Sequence, residues 1–330
     1  MNGNLSRALS SCALVLTQLV VASCDRASAV GAGWGKRSRL YAGTDSMGAA
    51  PEQLSAVPIH SRDLPENSAA AMSRTQPGVL FTINDSGNDA VLFALDTTGA
   101  LRGEWRIRGA RNVDWESAAV GPCKAGDSSS CVYIGDTGDN EASHSTRSIY
   151  RVNEPPATNA RIIGSLPAER LDYTYPDGPR DVEAMYVAPN GDLFLISKRA
   201  STDAAGRLRK ALVYRLAAET WSAGARVTAE RVDSLDIVPG SAPLRTITDA
   251  ALSPDGRHLA VRTYMQLYVF ATDSATGRVD HAVSPSVCNL VSVGEAQGEG
   301  VTWADNSGRL VLTSEGRDSP LDLVTCPLPR

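Results

Sequence analysis

A chain of 330 residues with 42% apolar side chains can bury a substantial core, and its formal charge of −5, without a long basic run, argues against nucleic acid as a partner. There is no Cys-x-x-Cys, His-Glu-x-x-His or Gly-x-Ser-x-Gly spacing, which disfavours a zinc site, a zincin and a serine-hydrolase elbow. The four histidines, His60, His144, His258 and His281, lie far apart and read as surface or packing residues.

Residues 1–23 carry one charge, Arg7, ahead of an apolar stretch from Cys12 to Val21, and they close on small residues. The stretch is too short to span a bilayer and reads as an export signal. Val21-Ala22-Ser23-Cys24 resembles the lipobox of bacterial lipoproteins, which implies cleavage before Cys24 and diacylation of its sulfur. Two acyl chains suffice for stable attachment. The expected location is the periplasmic or cell-surface face of a bacterial membrane, held there through the lipid anchor alone.

Residues 24–60 are rich in Ala, Gly, Ser and Arg and read as a tether, with a strand near Arg39-Leu40-Tyr41 or Val57-Pro58-Ile59. Residues 61–330 read as one domain. Within it a short phrase recurs, acidic and then small residues leading into an apolar run: Glu66-Asn67-Ser68-Ala69-Ala70, Asp114-Trp115-Glu116-Ser117-Ala118, Asp181-Val182-Glu183-Ala184-Met185, Thr248-Asp249-Ala250-Ala251-Leu252 and Gln297-Gly298-Glu299-Gly300-Val301. A repeat of roughly 50 residues made of short strands and tight turns marks a β-propeller.

Each unit supports that reading. Gly78–Ile83 and Ala90–Leu95 are strand-like runs joined by Asn84-Asp85-Ser86-Gly87-Asn88. Met185–Val187 and Leu193–Ser197 flank Asn190-Gly191, and a Pro254-Asp255-Gly256 turn precedes His258–Tyr264. Helical periodicity is absent beyond the N-terminus, so the fold class is all-β: a single propeller of five blades. Spacings of about 65 residues between the second, third and fourth phrases leave room for a sixth.

With Cys12 lost in the signal and Cys24 acylated, four cysteines remain. Cys123 and Cys131 flank a polar loop between strand-like runs and should staple a hairpin, and Cys288 with Cys326 should tie the last blade.

The first strand of a propeller blade lines the central channel, so the phrase carboxylates should gather at one mouth. The candidate ligand-binding set is Glu66, Asp85, Asp114, Glu116, Asp136, Asp181, Glu183, Lys198, Asp249, Arg262, Glu299 and Glu315. Carboxylates crowded in a partly dry mouth need protons, bases, N–H donors or a cation. Calcium suits such a set because it takes six to eight oxygens and needs no histidine. Asp114, Glu116, Glu183 and Glu299 are the candidate metal ligands. Alternatively the acids form a structural ring that bonds N–H groups of adjoining blades.

The strings Asn84-Asp85-Ser86-Gly87, Asp114-Trp115-Glu116, Gly135-Asp136-Thr137-Gly138-Asp139-Asn140, Arg262-Thr263-Tyr264, Gln297-Gly298-Glu299 and Ser314-Glu315-Gly316 resemble those of a family of secreted bacterial propellers without a settled activity. The resemblance runs from residue 64 to 318. The pairing of Asp181–Ala184 and Gln297–Gly300 with later Ser-Lys and Ser-Glu-Gly strands is distantly similar to phytase-like propellers. Two functions stay open: a propeller that binds a small polar ligand, a divalent cation or a protein partner at the mouth, and a metal-dependent hydrolase of phosphate esters or lactones.

Overall fold

The computed structural model describes residues 48–157, 161–199, 210–221, 226–237 and 246–330. The signal, Cys24 and most of the tether lie outside them. The chain divides after Gly43 into two units, and every described residue belongs to the second, Thr44–Arg330.

Among the described residues twenty-two strands form five sheets, and the fold is a five-bladed β-propeller. Blade 1 is β2 (Ala71–Met72), β3 (Val79–Thr82), β4 (Val91–Asp96) and β5 (Leu101–Arg108). Blade 2 is β6 (Trp115–Pro122), β7 (Ser130–Asp136), β8 (Arg147–Asn153) and β10 (Glu169–Thr174). Blade 3 is β11 (Val182–Val187), β12 (Leu193–Ser197), β13 (Ala211–Leu216) and β15 (Glu230–Leu235). Blade 4 is β16 (Ile247–Leu252), β17 (His258–Thr263), β18 (Gln266–Ala271) and β19 (Ser286–Asn289). Blade 5 is β20 (Gln297–Trp303), β21 (Arg309–Glu315) and β22 (Pro320–Thr325), with β1 (Glu52–Pro58) as its outer strand. Pairing of β1 with β22 brings the start of the described chain to the last blade and closes the ring.

The extra length between the second and fourth phrases does not make a sixth blade. It supplies β9 (Ile162–Pro167), which pairs in parallel with β5 of the preceding blade, and β14 (Arg226–Thr228), which does the same to β10. Among the described residues the only helical pieces are two single 3-10 turns, Ala218–Thr220 and Leu290–Ser292, and no helix is long and apolar enough to cross a membrane.

Local chemistry sets the hairpins. Ser253 Oγ accepts the N–H groups of Arg257 (3.1 Å) and His258 (3.0 Å), and Gly256 takes φ +71° in a place where a Cβ would lie 2.8 Å from the Ser274 carbonyl oxygen. Only glycine meets both demands.

Among the described residues apolar side chains pack in five clusters, one between each pair of neighbouring blades. Phe81, Trp105, Trp115 and Tyr150 join blades 1 and 2, and Leu195, Tyr173 and Tyr214 join blades 2 and 3. Phe194 and Tyr268 join blades 3 and 4, and Leu267 and Trp303 join blades 4 and 5. The interface of blades 5 and 1 holds the smallest set, including Leu80, Phe93, Val311 and Leu321. Each fully buried side chain of this kind contributes about 1.5–3 kcal/mol. The disulfides Cys123–Cys131 and Cys288–Cys326 form as expected, with Cα separations of 5.0 and 6.1 Å; the second ties blade 4 to blade 5.

Candidate functional site

The innermost strands are β2, β6, β11, β16 and β20, each paired on one side only. Four of them carry a one-residue bulge near their start. The register slips between Trp115 and Ser117, Val182 and Ala184, Ile247 and Asp249, and Gly298 and Gly300, so the extra residues are Glu116, Glu183, Thr248 and Glu299. Ser68, just past the Asn67–Asn84 bridge, holds the corresponding place in blade 1. A bulge re-aims one side chain, and here it turns that side chain to the channel mouth. Two residues earlier stand Glu66, Asp114, Asp181, Thr246 and Gln297. Facing them, at the ends of the second strands, are Asp85, Thr137, Lys198, Tyr264 and Glu315.

The structure thus brings together Glu66, Asp85, Asp114, Glu116, Asp181, Glu183, Lys198, Glu299 and Glu315. One oxygen from each of Asp85, Asp114 and Glu116 lies within 4.8 Å of the other two. Ser68 Oγ donates to Glu116 Oε2 at 3.0 Å, and Gln297 Nε2 to Glu299 Oε1 at 2.9 Å. Lys198 Nζ pairs directly with Glu183 Oε1, lies 3.7 Å from Asp181 Oδ2, and donates to Asn140 Oδ1 at 3.4 Å. Glu183 Oε2 and Asp181 Oδ2 are buried without a hydrogen-bond partner among the described residues.

The acids outnumber the base, and their protonation follows. Burial drives the carboxyls of Glu116, Glu183 and Glu299 well above the ordinary range, and mutual repulsion adds to it; Lys198 opposes the rise at all three. Glu315 is pushed up to about 7 by burial and by Asp85 and Glu66. Burial also raises Asp85 and Asp114. The Lys198 ammonium is itself held well above its usual value: burial lowers it, and Glu183 and Asp181 more than restore it.

Three predicted residues stand elsewhere. Asp249 lies one position beyond the bulge, deeper in the channel and fully buried, where its carboxylate accepts N–H from Val301 (2.8 Å), Ala250 (2.8 Å) and Ala70 (3.3 Å). It bolts blade 4 to blades 5 and 1. Arg262 sits two residues before the mouth position and is fully buried; it donates to the carbonyls of Gly300 (2.7 Å) and Thr313 (3.2 Å) and pairs with Glu295. Asp136 supports the mouth from behind, accepting the Asp114 N–H at 2.9 Å with Arg147 at 3.5 Å.

Reading by residue type passed over Ser68, Asn140, Tyr264 and Gln297. Tyr264 is next to Glu299, Glu183 and Glu315, and burial with those charges raises its hydroxyl pKa. Glycine was the available signal for close packing: a Cβ on Gly138 would lie 2.6 Å from Asp114 Oδ2 and 2.7 Å from Glu116 Cγ. The Asp136–Asn140 loop therefore rests directly on the carboxylates. Its Asp139 is structural, taking the N–H groups of Ser143 and His144 while its own N–H goes to Asp181.

Three carboxylate oxygens this close fit a hard divalent cation, whose ligand oxygens at about 2.3–2.6 Å stand no more than ~5 Å apart. The described residues offer carboxylate oxygens there and no histidine or thiol.

No family model and no curated protein matches the chain by sequence. Among solved structures it is similar to the PQQ-bound aldose sugar dehydrogenase of Streptomyces coelicolor, with TM-score 0.45 and 12% identity over 84% of this chain and 98% of that one. It is also similar to a gluconolactonase of Xanthomonas campestris (TM-score 0.41, 14% identity, 79% and 72%) and to Kuenenia stuttgartiensis hydrazine synthase (0.40, 17%, 77% and 57%). Likeness at this level carries no argument about activity.

Proposed function

We propose that this chain is an exported, lipid-anchored propeller that holds a divalent cation, calcium by its donor set, and binds a small polar ligand beside it at the acidic mouth. The observation that carries the reading is the convergence of Asp85, Asp114 and Glu116, with the orphaned Glu183 Oε2 as a second pointer. Bound there, the cation would supply the positive charge that Lys198 alone does not. The test is a thermal melt with calcium chloride or with EDTA, repeated on Asp114→Asn. Wild type should gain melting temperature with calcium and the variant should gain little; equal response in both overturns the site.

A second reading, hydrolysis of a phosphate ester or lactone, is favoured by one observation. Glu315 titrates at about 7, where a carboxyl best serves as acid or base at neutral pH, with Lys198 close enough to stabilise developing negative charge. A phosphatase and lactonase screen with and without calcium decides it. The address rests on the lipobox-like Val21–Cys24: Cys24→Ser should abolish fatty-acid labelling and release the protein from the membrane fraction.

A further inference from the structure

The phrase that opens each repeat has a second half that the mouth does not use. After the acid come small residues, and the structure shows what they make. Ala70 and Ala71, Ala118 and Ala119, and Ala250 and Ala251 line a cavity of about 680 Å³ at the far end of the channel. Its volume falls within the range of small-molecule sites.

Three features define what would fill it. The side chains facing it are mostly apolar, including Met185, Leu252 and Trp303. The innermost strands are unpaired on their inner edges, so backbone N–H and C=O groups are available beside the apolar surface. The cavity also runs out between blades 5 and 1, past Leu80, Val311 and Leu321, where β2 is only two residues long and the apolar cluster is smallest. At its rim Arg74 is exposed and makes no hydrogen bond or ion pair among the described residues, with the Glu154 carboxylate acting on its charge from nearby, whereas Arg309 is tied to Asp305 and the rim's Asp96 accepts from Arg102. Asp249 lies between this cavity and the acidic mouth, bonded to Ala70 and Val301.

We infer that the alanine-lined cavity is a second ligand site, separate from the acidic mouth, that takes a compact amphipathic organic anion with its apolar body in the channel and its acid group on Arg74. The two ends of one channel then have opposite chemistry, cationic ligand at one and anionic at the other. The repeated phrase encodes both, acid for the mouth and alanine for the cavity.

The probe is 8-anilinonaphthalene-1-sulfonate, followed by fluorescence and by calorimetry for stoichiometry. One molecule should bind saturably, with the same affinity in calcium and in EDTA. Arg74→Gln should weaken binding about tenfold and Ala119→Phe should abolish it. Unsaturable or multiple binding, or affinity unchanged in both variants, overturns the inference. Because Ala119→Phe can overpack the channel, wild type is also photolabelled with benzophenone-4-carboxylate. Labelled peptides from residues 70–80, 118–120 and 302–311 support the site, and labels confined to other segments overturn it.

Discussion

Raising the pH of the cation-free protein from 5 to 8 should destabilise it, and calcium should reverse the loss. Glu315 titrates at about 7 in the folded chain against an ordinary 4.5. For an acid whose folded pKa is raised, the stabilising contribution is full below the unfolded value and disappears as pH climbs through the folded one. The gap corresponds to about 3 kcal/mol, and screening at the partly exposed mouth leaves roughly 2 kcal/mol. Glu116, Glu183 and Glu299 act in the same sense, since burial and repulsion raise all three. Lys198 stays charged throughout, because its pKa lies above the window in both states. His258 opposes the trend, its pKa being lowered by burial, so its contribution grows as pH rises through 6.5. It stands against these four and against Asp85, Asp114 and Asp249, which burial also raises. Thermal melts in EDTA from pH 5 to 8 should therefore fall by roughly 5 °C or more. A cation bound as proposed would replace the missing protons, so the calcium-induced gain should widen as pH rises. Stability in EDTA that is flat or increasing over this window, or a calcium gain no larger at pH 8 than at pH 5, would refute the crowded-carboxylate account.

Lys198→Met should cost about 3–5 kcal/mol in urea unfolding, because it leaves Glu183 buried against Glu299, and adding Glu183→Gln should recover most of that. A double variant as unstable as the single one would show that the pair is not the cause. Asp249→Ala should cost about 1–3 kcal/mol through the stranded N–H groups of Ala70, Val301 and Ala250, while leaving the calcium response intact. Replacing Cys288 and Cys326 by serine opens a loop with a sequence separation of 38 and should cost about 4 kcal/mol, against about 2.5 kcal/mol for Cys123 and Cys131 with a separation of 8. Denaturant melts of the two double variants give the comparison, and an inverted order would mean that loop closure is not what the bridges contribute.

The blades were legible because their signals are local. Turn residues such as Asp255-Gly256 and short apolar runs such as Leu193–Ser197 specify hairpins over a dozen residues, and five repeats of one phrase specify five of them. A strand near Val57-Pro58-Ile59 was legible and coincides with the end of β1, but its closure of blade 5 was not, since Glu52–Pro58 is exposed along nearly its whole length and its place is defined by its partner β22. The parallel additions β9 and β14 escaped for the same reason; their partners belong to the preceding blade.

The site was legible in residue type and not in register, and the bulge is the cause. Aligned by acid, the fourth phrase puts Asp249 beside Glu183 and Glu299; aligned by strand pairing, the bulged residue is Thr248 and Asp249 falls one place deeper. One step along a strand reverses the side chain's direction, so an acid that seemed to belong to the mouth becomes the bolt between three blades. The same step count separates Arg262, buried behind Gly298 and Gly300, from Tyr264, which reaches Glu299. A bulge arises from how two strands pair, and nothing in Thr248 itself announces it. The glycines do carry a trace: a Cβ at Gly298 would collide with the Arg262 guanidinium, and one at Gly138 with Asp114 and Glu116. Glycine inside an otherwise apolar strand or beside a run of acids marks where a charged group passes close to the backbone, and in this chain those are the places where the mouth is held in shape.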